Sequence, residues 1–91
     1  MNTKIALESL SMDLKRVAMG YYRGSDVMAK RFSEEALKRK EEVSLQDVKP
    51  YLEALLDRME RDLQQKNTKN IAEDALMYST LFQNYCQKEF R

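Results

Sequence analysis

The chain has 91 residues, of which 43% are hydrophobic and 34% are charged, with a formal net charge of +1. This length accommodates a single domain over residues 1–91, and the composition is too apolar and too nearly neutral for an intrinsically disordered chain. With two glycines, one proline, one cysteine and no histidine, the chain lacks the turn residues of an all-β fold and the ligands of most transition-metal and catalytic sites.

The first predicted helix covers residues 3–22. Five apolar residues follow the alternating spacing of three and four that is typical of one helix face: Leu7, Leu10, Leu14, Val17 and Tyr21. A second apolar line, formed by Ile5, Met12 and Met19, recurs every seven residues on nearly the opposite side. One neighbouring layer cannot cover both lines, so the sequence predicts a helix with two apolar faces.

The second predicted helix covers residues 26–42. Gly24 can adopt the left-handed conformation that follows a helix end, and Ser25 or Asp26 can cap the next helix. The apolar stripe of this helix is only about 100° wide. It is therefore predicted to be the most exposed helix.

The third and fourth predicted helices cover residues 48–66 and 71–89. Ser44 to Asp47 fits a capping-box pattern, and placing the N-cap at Asp47 puts Pro50 in the first turn, where a missing amide proton costs little. Asn70 is the predicted N-cap of the fourth helix. Apolar residues cover roughly 260° of that helix, far more than a surface helix needs. We therefore predict an all-α, up-down-up-down four-helix bundle with the fourth helix at its centre.

The acidic residues are interleaved with basic ones, which indicates a solvated surface rather than a catalytic pocket. Five pairs have i to i+4 spacing: Glu34–Lys38, Glu35–Arg39, Lys38–Glu42, Asp57–Arg61 and Arg58–Asp62. Cys86 lies among apolar positions and is predicted to be a small buried side chain. We expect no catalytic residues, no metal and no cofactor, and hence a protein that is not an enzyme.

Location is indicated by three features. The first residues contain no signal-peptide pattern, and the longest unbroken apolar run, Ala75 to Tyr78, is too short to span a membrane. A single cysteine allows no internal disulfide and is typical of the cytoplasm. The sequence thus predicts a cytoplasmic protein that does not contact a membrane.

The leading functional hypothesis is a small interaction or adaptor module that associates with a second copy or with another protein. The apolar residues predicted to lie outside the core are its candidate contact residues: Ile5, Met12, Met19, Met77 and Leu81. Methionine suits such a contact because its side chain is flexible and tolerates imperfect packing. A homodimer is expected, since a single core of this size is only marginally stable.

Two other functions stay open. A nucleic-acid-binding bundle would use the basic residues of the second helix: Arg31, Lys38, Arg39 and Lys40. These residues do not form a one-sided basic stripe, so nucleic acid is the less favoured partner. A small-molecule-binding bundle would use the tyrosines around an internal cavity.

Overall fold

The computed structural model describes residues 2–90, which form four α-helices and one short 3-10 turn. The helices are α1 (Thr3–Tyr22), α2 (Asp26–Glu42), α3 (Pro50–Leu63) and α4 (Thr68–Glu89), and the 3-10 turn is Leu45–Asp47. Short connections join them, and α1 packs against both α2 and α4, while α3 packs against α4 and α2. The predicted all-α four-helix bundle is confirmed.

The ends of α1 and α2 follow from local chemistry, and both agree with the predicted bounds. The side chain of Asn2 accepts a hydrogen bond from the backbone of Lys4 and caps α1. Gly24 has a φ of 77°, and the Ser25 hydroxyl accepts a hydrogen bond from the amide of Met28. A left-handed glycine followed at once by a capping serine therefore ends one helix and begins the next.

The predicted start of the third helix at residue 48 is wrong, because α3 begins at Pro50. The residue before a proline is disfavoured in the helical region, and Lys49 is accordingly extended, with φ −71° and ψ 150°. Asp47 is therefore not the N-cap. It lies in the 3-10 turn, and its carboxylate accepts a hydrogen bond of 2.9 Å from the Thr3 hydroxyl.

The predicted bounds around the last connection also need correction. α3 ends at Leu63 rather than near residue 66, and α4 begins at Thr68 rather than at 71. Asn67, not Asn70, is the N-cap, and its side chain accepts a hydrogen bond from the Asn70 amide. Both asparagines are suitable capping residues, so the sequence alone did not distinguish them.

Small residues allow α1 to approach its neighbours closely. A Cβ atom added to Gly20 would lie 2.8 Å from the backbone nitrogen of Ala29, so α1 and α2 are in contact through their backbones at this point. Between α1 and α4, the Ser11 hydroxyl donates to the Ser79 carbonyl (2.7 Å) and the Ser79 hydroxyl donates to the Ser11 carbonyl (2.8 Å). Further along the same two helices, Cys86 Sγ lies 4.0 Å from the Lys4 carbonyl oxygen, so α1 and α4 are antiparallel neighbours.

The core is one cluster of buried side chains drawn from all four helices. Its largest members are fully buried: Tyr78, Phe82, Leu7, Leu10, Leu14, Leu52, Leu56, Met59 and Val17. α2 buries only Ala29 and Ala36 and is the most exposed α-helix, as its narrow stripe predicts. The other three α-helices supply the rest of the helical core, and α4 shares the centre of the bundle with α1.

Candidate interaction surface

The outward face of α1 carries three large apolar side chains that the core does not cover. The exposed fractions are 51% for Ile5, 50% for Met12 and 37% for Met19. On the opposite face of the same helix, Leu7 and Leu10 are 0% exposed. The seven-residue repeat noted in the sequence thus forms an exposed line along α1, called here the α1 row (Ile5, Met12 and Met19).

A second apolar surface lies on α4. Leu76, Met77 and Leu81 are 42%, 46% and 38% exposed. They line a concavity of about 410 Å³ together with Tyr22 at the end of α1. These four residues are called the α4 surface. Met12 lines a different groove, so the five candidate contact residues form two groups rather than one compact patch.

The groove beside Met12 runs between α1 and α4 and has a volume of about 400 Å³. Eight residues line it: Lys4, Glu8, Ser11, Met12, Gln83, Cys86, Gln87 and Phe90. Cys86 is buried, as predicted, and burial together with the nearby Glu8 carboxylate raises the pKa of its thiol to about 11. Because the thiolate is the reactive form, this thiol is unreactive near neutral pH.

Three of the four basic residues assigned to nucleic-acid contact are already paired with carboxylates. Lys38 binds Glu35, Arg39 binds Glu42, and Lys40 joins α2 to α3 by contacting Asp57 and Glu60. Arg31 is exposed. A phosphate group would have to displace these ion pairs, so the structure brings together no free basic patch from this set.

None of the five predicted i to i+4 ion pairs forms in the part of the chain that the structure describes. The helical pairs observed there have i to i+3 spacing instead, as for Arg39 and Glu42. The remaining ion pairs join different elements, such as Lys49 and Glu89 at 2.6 Å. Long side chains reach several acceptors, and sequence spacing alone does not reveal the acceptors that other helices offer.

One charged group is buried at the edge between α1 and α2. Asp13 is 6% exposed and pairs with Arg16 at 3.3 Å, and its other oxygen lies 4.0 Å from Arg39 Nε. Arg16 also lies over the ring of Phe32, 5.4 Å from its centre. Burial raises the pKa of the Asp13 carboxyl, and the attraction of the two arginines only partly offsets this effect.

The tyrosines serve mostly to join helices. Tyr78 donates a 2.6 Å hydrogen bond to Asp62, and burial together with this bond raises the pKa of Tyr78 to about 12. The Tyr85 hydroxyl accepts from the Lys49 amide. Gln65 donates to Asp74, a partner that the sequence did not reveal. The tyrosines do not share one cavity, since Tyr22 lines the α4 concavity and Tyr85 lines another.

Within residues 2–90, no group of three or more His, Cys, Asp or Glu side chains is arranged to hold a metal ion. None of the helices there is both long enough and apolar enough to cross a membrane. Comparison with protein-family models, with curated protein sequences and with solved structures found no match.

Proposed function

We propose that this protein is a non-catalytic interaction module that acts by associating with a second copy of itself through its exposed apolar surfaces. The observation that carries the proposal is the α1 row, where three large apolar side chains are exposed in line on the face of α1 opposite the core. Scattered apolar residues are common on protein surfaces, but a line that follows the helix repeat offers a second helix regularly spaced points of contact.

Two further features support self-association. The core draws only two small side chains from α2, and a chain of this length gains stability when it buries additional apolar area against a copy. The row is rich in methionine, which adapts to a facing surface without a fixed shape. The proposed setting is the cytoplasm, because the single buried cysteine does not require an oxidising environment.

Sedimentation equilibrium of the full chain over a range of concentrations tests this proposal. We expect a reversible dimer that is weakened by Met12→Glu, because the dimer would bury an unpaired carboxylate. Val27→Glu is the matched control, since Val27 is 83% exposed on α2 and lies outside both apolar surfaces. Circular dichroism checks whether both variants fold, which we expect because both positions are exposed.

Met77→Glu shows whether the α4 surface belongs to the same contact. A loss of association in Met12→Glu or in Met77→Glu, with Val27→Glu unchanged, supports self-association through the exposed apolar surfaces. A wild-type chain that is monomeric at every concentration tested overturns the proposal. So does a dimer that Val27→Glu weakens as much as the other two variants do.

A further inference from the structure

The α1 row has a symmetry that restricts how two copies can meet. Met12 lies midway between Ile5 and Met19, and each step of seven residues is roughly 10.5 Å along the helix axis. A strict seven-residue repeat drifts by about 20° per step around a straight helix, which suits a shallow left-handed crossing of two helices. The row is thus the same when read from either end, apart from isoleucine replacing methionine at one position.

We propose that two copies pair through α1 in antiparallel orientation, about a two-fold axis that passes beside Met12. This inference rests on the proposed self-association and specifies its geometry. In this arrangement Met12 contacts the partner's Met12, and Ile5 contacts the partner's Met19. A two-fold contact of this kind uses the same surface on both copies and closes after two chains.

Charges on one flank of the row complement each other in this pairing. Glu8 and Lys15 lie on the same side of the row, about 40° and 60° from Met12 around the helix axis. Glu8 is four residues before Met12 and Lys15 is three residues after it. An antiparallel copy therefore places the partner's Lys15 beside Glu8, within roughly one residue rise of 1.5 Å along the axis, and symmetry forms this ion pair twice.

Both residues are free to make this contact. Glu8 and Lys15 are exposed, and across residues 2–90 neither has an ion-pair partner. Other charges of the chain, such as those of Lys40 and Lys49, are neutralised by carboxylates of a neighbouring helix. The flank of the row thus offers two opposite charges that no other helix pairs.

The parallel arrangement is less favourable on the same grounds. Two parallel helices bring opposite flanks together, and Arg16 lies about 40° from Met12 on the other side of the row. Lys15 would then lie beside the partner's Arg16, so like charges would meet at both sides of the contact. Like charges in contact across an interface suppress that orientation.

Charge reversal measures the flank contact directly. We expect Glu8→Lys and Lys15→Glu each to raise the dissociation constant by about ten-fold, because each removes both symmetric pairs and introduces repulsion. The double variant, with both charges exchanged, restores opposite charges and should return close to the wild-type value. Glu34→Lys is the matched control, as an exposed charge on α2, and should leave the constant unchanged.

Engineered cysteines report the orientation. Met12→Cys should form a disulfide-linked dimer under mild oxidation, because the two-fold axis brings the two side chains together. Ile5→Cys alone should not cross-link, since the two copies of residue 5 lie about 21 Å apart along the axis. A mixture of Ile5→Cys and Met19→Cys should give the mixed disulfide. The buried Cys86 thiol, with its raised pKa, does not compete.

The outcomes separate this geometry from the proposed function. A dimer in which Ile5→Cys alone cross-links readily overturns the antiparallel pairing. So does a dimer that the charge exchange fails to restore, or one weakened by Met77→Glu but not by Met12→Glu. In each of these cases self-association itself stands. Absence of any dimer overturns both proposals, and the full set of expected results supports both.

Discussion

The two faces of α1 carry similar side chains in different surroundings. Leu7, Leu10 and Leu14 on the inner face are 0% exposed, whereas Ile5 and Met12 on the outer face are about half exposed. All of these side chains are apolar, so hydropathy alone does not show which face is buried, and each face follows a regular helical repeat. The comparison shows that the inner face holds the fold together, while the outer face makes no contribution to the core and is available for another molecule.

The largest contrast is expected from truncating one residue on each face. Leu10→Ala should lower the free energy of unfolding by about 2–5 kcal/mol, because it removes a fully buried side chain and leaves a cavity. Met12→Ala should change it by about 0.5 kcal/mol or less when the chain is monomeric. Urea unfolding at low protein concentration measures both. Equal losses for the two variants would contradict the division of α1 into two faces.

A smaller effect is expected at the close contact between α1 and α2. Replacing a glycine by alanine inside a helix normally stabilises it by about 1 kcal/mol. In Gly20→Ala, however, the new Cβ would lie 2.8 Å from the nitrogen and 3.0 Å from the Cα of Ala29. Backbone atoms cannot move aside without shifting α2, so we expect a net loss of about 1–3 kcal/mol.

Thermal unfolding of Gly20→Ala measures this loss. Gly24→Ala provides a comparison, because its Cβ would meet nothing within 4 Å and its cost comes only from the left-handed backbone. Met12→Glu should still weaken the Gly20→Ala dimer if the outer face acts independently of the α1–α2 contact. An unchanged or raised melting temperature for Gly20→Ala would show that α2 is not held at this distance.

The smallest effect concerns Asp13, the buried acidic residue at the edge between α1 and α2. Burial raises the pKa of Asp13 in the folded chain above its ordinary value of 3.8. The folded state therefore binds the proton more tightly than the unfolded chain. The stability that Asp13 contributes is fully present below the unfolded pKa and is lost as the pH rises through the folded pKa.

Asp13→Asn removes this titration. As the pH rises from below 3.8 through the raised pKa of the folded chain, wild type should lose stability relative to Asp13→Asn. Urea unfolding of both proteins at several pH values measures the shift. A difference that does not change with pH would mean that the carboxyl titrates alike in the folded and unfolded chains.

The part of the fold predicted from sequence is the part controlled by neighbours along the chain. The bounds of α1 and α2 were predicted correctly because Gly24 and Ser25 act within one turn. The start of α3 was mispredicted because the capping pattern of Ser44 to Asp47 conflicts with the restriction that Pro50 places on Lys49, and that restriction prevails. The start of α4 was mispredicted because Asn67 and Asn70 are equally suitable capping residues. Thr3 takes the Asp47 carboxylate that was assigned to capping, and no local pattern reveals that contact.

The candidate site divides in the same way. The spacing of Ile5, Met12 and Met19 placed them on one line of α1, and all three are exposed in the structure. Spacing did not show that Met77 and Leu81 line a separate concavity with Tyr22. It also did not show that Lys40 is held by Asp57 and Glu60, because that requires the relative position of two helices.

The sequence by itself determined the number of helices, the ends of the first two and the two apolar faces of α1. These properties depend on the 3.6-residue repeat and on capping groups, which act over a few residues. Only the tertiary structure decided which acid meets which base, how closely Gly20 approaches Ala29, and how the exposed apolar residues divide into two surfaces. These features depend on the distance and rotation between helices, which side-chain packing over the whole bundle sets.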